Sequence, residues 1–197
     1  MGRKFIFAGR MKVISFDLDG TIVSTDYVDA VWLERIPQIY AMHHHIPFEE
    51  AKKHVEKEYL RIGPERLEWY DLDYWIRKFG LNIKAEDVLK SCLKNLYLYP
   101  DALEILEKFS KKYELIIISN ASRKFIDVET NFLGIKKYFK SIFSSVSDFE
   151  KTKKDEEVYK KICNIIGINS NEIVHVGDNY EFDYLAPSKV GIKAFYL

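Results

Sequence analysis

The stretch Val13–Thr21 (VISFDLDGT) decides the fold, because an apolar run there ends in two carboxylates, a glycine and a hydroxyl. In an extended chain residues i and i+2 point to the same side, so we expect the side chains of Asp17 and Asp19 to face one small volume at a strand end. Two like charges that close are costly unless a cation lies between them or one carboxyl keeps its proton. The motif therefore predicts a metal ion and an acid/base group. An ordinary Asp-Gly turn after a strand is the alternative interpretation.

The composition limits the possible classes of protein. A chain of 197 residues suits one domain, or one domain with a sizeable insertion, and 47% hydrophobic residues can form a real core. Lys+Arg and Asp+Glu are balanced at 30 each, which predicts no nucleic-acid surface. Cys92 and Cys163 lack the spacing of zinc ligands, and no apolar run reaches membrane-spanning length. We therefore expect a cytoplasmic protein that binds neither nucleic acid nor membrane.

Five short apolar runs predict β-strands: Val13–Asp17, Leu115–Ser119, Ser141–Ser145, Ile173–Gly177 and Lys193–Leu197. Three helical patterns lie between them: Asp101–Lys112, Arg123–Leu133 and Asp155–Ile166. Continuous apolar strands that alternate with helices are typical of a parallel sheet covered on both faces. The predicted fold class is therefore α/β, a doubly wound parallel sheet with strand order 3-2-1-4-5. Ligands bind such sheets at the carboxyl ends of the strands.

The stretch from about Ser24 to about Tyr97 interrupts this alternation, because it contains only helical patterns. The predicted helices lie near Val28–His43, Phe48–Ile62, Glu65–Phe79 and Ala85–Leu96. We therefore predict a core formed by residues 1–23 and 98–197 and an inserted helical cap formed by residues 24–97. Such a cap would lie above the strand ends and serve as a lid that excludes water and selects substrates.

Four polar segments follow predicted strands or open a predicted helix: residues 17–21, 117–120, 151–155 and 175–183. In this order they resemble the motifs of the haloacid dehalogenase superfamily, most of whose members are phosphatases. The resemblance covers about residues 12–17 and 98–197, and the helical insertion matches the family's cap by position and helicity. It implies a Rossmann-like core.

The resemblance also implies roles for individual residues. Asp17 matches the family's nucleophile and Asp19 its acid/base, while Ser119 and the Asn120 backbone match the phosphate-binding group. For the site lysine, the segment from Lys153 to Tyr159 aligns with the family's Lys-Pro-Asp-Pro-x-Ile-Phe, which selects Lys153. Lys151 and Lys154 remain open, because three lysines lie within four positions. The implied Mg²⁺ ligands are Asp17, Asp178, Asp183 and the main-chain carbonyl of Asp19.

The expected function is Mg²⁺-dependent hydrolysis of small phosphate monoesters through a phospho-aspartate. A 2-haloacid dehalogenase is the first alternative, but a halide leaving group needs neither the acid Asp19 nor the metal ligand Asp178. A phosphonate hydrolase is disfavoured by Asp19, while a phosphomutase and a non-catalytic phosphate-binding protein remain alternatives. The sequence leaves the phosphorylated metabolite open among sugar phosphates, phosphoglycolate and nucleotides, and it leaves the oligomeric state open.

Two groups of residues in the helical stretch are possible substrate contacts. Trp69, Tyr70, Tyr74 and Trp75 form an aromatic group that we assign mainly to the interior, with one or two members left to line a substrate pocket. Arg61, Arg66 and Arg77 are candidates for binding an anionic substrate, although ordinary solvated charges are the preferred interpretation.

Overall fold

The computed structural model describes residues 11–197, so the first ten residues of the predicted core lie outside it. Within these residues five strands form one sheet in which every neighbouring pair is parallel. The strands are β1 Val13–Phe16, β2 Glu114–Ser119, β3 Phe139–Ser144, β4 Ile173–Gly177 and β5 Lys193–Tyr196. Their order is β3-β2-β1-β4-β5, which confirms the predicted order and fold class.

Strand β1 lies at the centre of the sheet, and all four of its residues are buried. Phe16, its last residue, is level with Ile117 of β2 on one side and Val176 of β4 on the other. Since neighbouring strands are parallel, their carboxyl ends meet at one edge of the sheet. The segments that follow β1, β2 and β4 are therefore brought together there.

Between β1 and β2, residues 26–95 contain helices joined by turns and no strand, and we call these residues the helical segment. Its helices are α1 Asp26–Asp29, α2 Ile36–His44, α3 Phe48–Ile62, α4 Leu72–Lys78 and α5 Ala85–Ser91. A π-helical turn, Ala30–Arg35, joins α1 to α2 without a break, and 3₁₀ turns cover Leu67–Tyr70 and Leu93–Asn95.

The predicted single helix Glu65–Phe79 is wrong in its first half. Asp71 interrupts it with an extended backbone and accepts a hydrogen bond from the Tyr74 amide at 3.1 Å, so it is the N-cap of α4. The predicted helix Ala85–Leu96 is also too long, because the α-helix ends at Ser91.

Five further helices cover the sheet: α6 Ala102–Phe109, α7 Arg123–Phe132, α8 Ser145–Phe149, α9 Glu156–Ile166 and α10 Ala186–Lys189. The chain also has 3₁₀ turns at Lys136–Tyr138 and Ser170–Glu172, and a π-helical turn at Tyr180–Leu185. The three helices predicted in this part of the chain are present as α6, α7 and α9, each one to four residues shorter than predicted.

The sheet and the helical segment share one hydrophobic cluster. It contains Phe16 and Ile117 of the sheet together with Tyr27, Trp75 and Leu89 of the helical segment. A second, smaller cluster packs the other face of the sheet against α9 and includes Ile118, Tyr159 and Ile162. The division into a core and a cap stays a prediction, because the packing between the two parts is continuous.

Cys92, which follows α5, and Cys163, in α9, are both buried and both reduced. In residues 11–197 no helix combines the length and the apolar character needed to cross a membrane.

Candidate active site

Asp17 follows β1 directly and lies at the carboxyl edge of the sheet. Its amide donates a hydrogen bond to the Val176 carbonyl at 2.9 Å, which extends the pairing with β4 by one residue. Its side chain is nearly buried. Gly20 then turns the chain with φ +82°, and a Cβ atom at this position would lie 2.2 Å from Asp178 Oδ2. The turn after β1 and the carboxylate after β4 are therefore in close contact because residue 20 has no side chain.

Of the three candidate lysines, Lys154 is the one that contacts Asp17. Its Nζ lies 2.5 Å from Asp17 Oδ1 and 2.5 Å from Asp183 Oδ1, and its side chain is buried. The prediction that Lys153 is the lysine beside Asp17 was therefore wrong by one residue. Lys153 points away from Asp17, pairs with Glu65 at 2.5 Å and lies over the Phe182 ring.

The loop before α9 explains why Lys154 rather than its neighbours reaches the sheet edge. The Asp155 amide bonds to the Lys153 carbonyl, and the Asp155 carboxylate caps α9 by accepting from the Val158 amide at 2.9 Å. In this turn consecutive side chains point to different sides. Lys151 pairs with Glu157 at 2.8 Å on the surface.

Asp183 is held on three sides by the protein. Its Oδ1 contacts Lys154 and His175 Nε2, the latter at 2.9 Å, and its Oδ2 accepts from the Asn179 amide at 3.0 Å. His175 is fixed in turn by Ser15 Oγ, which lies 2.8 Å from its Nδ1. A Cβ at Gly177 would lie 2.3 Å from Asp183 Cγ, so this glycine also makes room for a carboxylate.

Three carboxylates can share one cation. Asp17, Asp178 and Asp183 each offer an oxygen within 4.8 Å of the others. Oxygen ligands of this kind suit Mg²⁺, which binds through a few carboxylates and keeps several waters. The close approach of Asp178 to Gly20 fits a site in which a cation draws the carboxylates together. The residues present therefore fit Mg²⁺, with Asp17 and Asp178 as the more direct ligands, since Asp183 is already engaged.

Asp19 faces a second acid that the sequence analysis did not identify. Glu129 of α7 is fully buried, and neither of its carboxylate oxygens has a hydrogen-bond partner among residues 11–197 by distance and angle. Asp19 Oδ1 is likewise buried without a partner there. Glu129 nevertheless acts on the Asp19 carboxyl electrostatically, which places the two acids beside each other.

The pKa values in the site follow from burial and from these pairs. Burial raises the pKa of Asp17 to about 8, although Lys154 opposes the shift. Burial also raises the pKa of Asp19 to about 7, and that of Glu129 well above its usual range. The Asp19–Glu129 pair therefore holds a proton near neutral pH before any cation binds.

The pKa values of Lys154 and His175 shift in opposite directions. Burial alone lowers the pKa of Lys154, but Asp17 and Asp183 more than offset this and raise it, so the ammonium stays charged. Burial lowers the pKa of His175, which keeps the imidazole neutral. A neutral His175 with its proton on Nε2 donates to Asp183. The Val174 carbonyl, 3.1 Å from Ser15 Oγ, and His175 Nδ1 are then alternative acceptors for the single hydroxyl proton of Ser15.

The end of β2 forms the other wall of the site. Ser119 is buried, and its Oγ accepts a hydrogen bond from the Ala121 amide at 3.0 Å. Asn120 is oriented by Ser145, whose hydroxyl donates to Asn120 Oδ1 at 2.9 Å. The two predicted phosphate-binding residues therefore lie on one ordered turn at the same edge as Asp17.

A cavity of about 540 Å³ opens beside Asp19 between this turn and the helical segment. The core contributes Asp19, Asn120 and Phe125, and the helical segment contributes aromatic and acidic residues. A group bound at Asp17 has this cavity as the space for the rest of its molecule.

The sequence analysis missed Glu129, His175 and Ser15, and it named Lys154 without choosing it. Glu129 had a detectable signal, because it lies three residues after Ile126 and four after Phe125, on the face of α7 that is buried. His175 and Ser15 had none, since each lies inside a strand whose other residues are apolar.

The family follows from a comparison of the whole chain with known families. The family model for haloacid dehalogenase-like hydrolases matches residues 11–191. The chain belongs to this family. It is therefore a hydrolase, and proteins similar to it include enzymes named as phosphatases.

Among curated proteins, the chain is similar to the GMP/IMP nucleotidase YrfG of Escherichia coli (strain K12), with 23% identity over 84% of this chain and 73% of that protein. It is also 33% identical to (S)-2-haloacid dehalogenase 4A of Burkholderia cepacia, over 55% of this chain and 48% of that one. Among solved structures, a HAD phosphatase from Thermococcus onnurineus superposes with a TM-score of 0.81 at 24% identity, covering 95% of this chain and 86% of that one. The structural likeness supports the fold.

Proposed function

We propose that the protein is a Mg²⁺-dependent phosphatase that hydrolyses small phosphate monoesters through a phospho-aspartate on Asp17. The observation that carries the proposal is the contact of Asp17 with a single buried lysine, Lys154, at the edge where Asp178 and Asp183 also lie. A phosphoryl group is dianionic, so a carboxylate nucleophile approaches it only where positive charge is fixed in advance. Lys154 supplies part of that charge, and Asp17, Asp178, Asp183 and the Asp19 carbonyl would hold the Mg²⁺ that supplies the rest.

In the first step an oxygen of Asp17 attacks phosphorus and the bond to the leaving oxygen breaks. The ammonium of Lys154 has three N–H donors, and two of them face Asp17 and Asp183, which leaves one for a phosphoryl oxygen. Ser119 and the Asn120 backbone donate to the other phosphoryl oxygens. The bound Mg²⁺ would neutralise the repulsion between nucleophile and phosphate.

Asp19 moves the proton in both steps. Burial raises the pKa of the Asp19 carboxyl to about 7 before any cation binds, which favours a protonated group that can give its proton to the departing alkoxide. The resulting carboxylate then takes a proton from the water that attacks the phospho-aspartate, which releases phosphate and regenerates Asp17.

Asp19 and Asp178 also separate this proposal from dehalogenation. A halide leaves as an anion and needs no proton from Asp19, and the displacement of a halide from carbon needs no cation at Asp178. Both residues are present, and Asp178 offers an oxygen within 4.8 Å of one from Asp17, so they favour phosphate chemistry. The name of the E. coli relative supports small phosphorylated metabolites as substrates. The helical segment would act as the lid.

The test measures the release of phosphate from p-nitrophenyl phosphate. It compares the wild-type protein with the variants Asp17→Asn and Asp19→Asn. Wild type should release phosphate only with Mg²⁺, and Asp17→Asn should lose at least about 10³-fold, since no covalent intermediate can form. Nitrophenolate leaves without a proton, so Asp19→Asn should still form the phospho-aspartate but break it down slowly. Mass spectrometry of that variant should show one phosphoryl group on Asp17.

The matched control is Glu49→Gln, which removes one carboxylate from the exposed surface of α3. It should retain wild-type turnover. If Asp17→Asn kept full activity, or if the phosphoryl group were found on another residue, the nucleophile assignment would be wrong.

A further inference from the structure

The cavity beside Asp19 has aromatic walls. Trp32 is stacked on Phe125 with ring centroids 5.5 Å apart and planes 18° apart, and it meets Tyr59 edge-on at 5.9 Å. Trp69 also lines the cavity and packs against Tyr59 at 6.1 Å. These rings hold one another in place, so they present fixed flat surfaces rather than mobile side chains.

The charges around the cavity have one sign. Its lining includes the carboxylates Asp19, Asp29 and Glu56, and within residues 11–197 no lysine or arginine lines it. The three arginines considered above as ligands for an anionic substrate lie outside this lining and pair with acids: Arg61 with Glu58, Arg66 with Glu68 and Arg77 with Asp71.

The position of the cavity determines what enters it. Asp19, the proposed acid, lines the cavity together with Asn120, which belongs to the turn that would hold the phosphate. The atom that receives the proton of Asp19 belongs to the leaving group, so the leaving group must extend into this cavity. A second anionic group there would face Asp29 and Glu56, and among residues 11–197 no cationic side chain lines the cavity beside it.

We propose that the substrates are phosphate monoesters whose leaving group is flat and apolar and carries no second negative charge. This inference rests on the proposed phosphatase function and narrows it. It disfavours phosphorylated carboxylic acids and bisphosphates, and it favours monophosphates of aromatic or heterocyclic alcohols.

The test uses three benzyl phosphates that differ only at the para position, with methyl, aminomethyl or carboxylate. Their leaving alcohols are alike, so a difference in kcat/KM reports on the cavity. We expect the methyl compound to exceed the carboxylate by at least about tenfold, the size of one partly screened charge repulsion. The aminomethyl compound should also exceed the carboxylate, which shows that the sign of the charge matters rather than polarity.

Two variants locate the effect in the cavity. Glu56→Gln should narrow the ratio between the methyl and carboxylate compounds by about threefold or more, because one facing charge is removed. Glu49→Gln removes the same charge from the same helix but from a surface position, and it should leave the ratio unchanged. Trp32→Leu should lower the preference for 4-methylbenzyl phosphate over glycerol phosphate, mainly through KM.

The outcomes separate this inference from the proposed function. Equal or faster hydrolysis of the carboxylate, still abolished by Asp17→Asn, would overturn the substrate class and leave the phosphatase in place. If the aminomethyl and carboxylate compounds were hydrolysed equally slowly relative to the methyl compound, the proposed repulsion of anions by Asp29 and Glu56 would be wrong. If none of the compounds were hydrolysed in a way that depends on Asp17, the proposed phosphatase function would be wrong.

Discussion

At the scale of single residues, Lys154 is the charge on which the site depends. It contacts two of the three clustered carboxylates, Asp17 and Asp183. We expect Lys154→Met to lower kcat/KM for p-nitrophenyl phosphate by on the order of 10²–10³-fold, because a fixed cation at the phosphoryl oxygens is lost. The measurement is the steady-state rate of Mg²⁺-dependent phosphate release.

Lys153→Met is the matched control, because it removes the same charge one residue away. It should change the rate less than about twofold, since Lys153 pairs with Glu65 on the surface. Removing Lys154 also leaves two buried carboxylates without their cation, a change that costs about 3–5 kcal/mol for buried pairs. Circular dichroism must therefore show that the variant is folded at the assay temperature. A Lys153→Met loss as large as that of Lys154→Met would contradict the assignment.

The acids of the site predict how the stability of the metal-free protein depends on pH. Burial raises the pKa values of Asp19 to about 7 and of Asp17 to about 8, so the folded state binds more protons than the unfolded state up to these values. This stabilisation is fully present below the usual carboxyl pKa and is lost as pH rises through the raised values. His175, whose pKa is lowered from 6.5, acts in the opposite direction only below that pH.

Between pH 6.5 and pH 8 the free energy of unfolding should therefore fall by on the order of 2 kcal/mol, which lowers the thermal midpoint by roughly 5 °C. Scanning calorimetry in the presence of a chelator measures this fall. Asp17→Asn removes one of the titrating groups and should make this decrease in the free energy of unfolding smaller. A midpoint that rises across this interval would contradict the raised pKa values.

The residue scale is also where prediction from sequence was least complete. Asp17, Asp19, Ser119 and Asp178 were predicted as site residues because each lies at a strand end or within three residues after it, and a strand end has a defined place in a parallel sheet. Lys153 was selected over Lys154 by alignment with the family motif. The three lysines lie in a turn, where no periodicity corrects such an alignment by showing which of them points inward. Glu129 was overlooked because the sequence pattern Arg123–Leu133 was assigned as a helix without a buried face.

At the scale of elements, the turn after β1 and the end of β4 are fitted to each other at Gly20. We expect Gly20→Ala to reduce Mg²⁺ affinity at least about tenfold, because its methyl group would occupy the position of the Asp178 carboxylate. Isothermal titration with Mg²⁺ measures the change.

Gly80→Ala is the control for backbone strain. Gly80 also has a positive φ, +64°, but a Cβ there would meet nothing within 4 Å. It should lose about 1 kcal/mol of stability without a change in Mg²⁺ affinity. Equal affinities for the two variants would show that the contact between Gly20 and Asp178 does not matter for the cation.

The same scale explains which elements were predictable. The strands and α9 have strong local signals, apolar runs in the first case and an acidic cap with a terminal glycine in the second. The break at Asp71 was missed because aromatic residues on both sides continue a helical spacing. The competing signal was Asp71 itself, a residue type that favours an N-cap over a helix interior.

At the scale of the whole molecule, one hydrophobic cluster connects the sheet to the helical segment. All three tryptophans, Trp32, Trp69 and Trp75, lie in that segment. If the two parts unfold together, tryptophan fluorescence and far-ultraviolet circular dichroism should give coincident transitions in urea. A fluorescence transition at lower urea would show that the helical segment is a separate domain, as predicted from the sequence.

The strand order was predictable because right-handed crossovers allow few arrangements of five parallel strands. How the helical segment packs on the sheet was not, because the contact between Trp32 and Phe125 joins residues that no local pattern relates.

The two buried thiols have a practical consequence. Cys92 lies in the helical segment and Cys163 in α9, and both are reduced and shielded from solvent. A thiol reagent can modify each only after its own surroundings open. The labelling rates of the two cysteines, resolved by peptide mapping, would therefore time the opening of the two parts separately, with no engineered label.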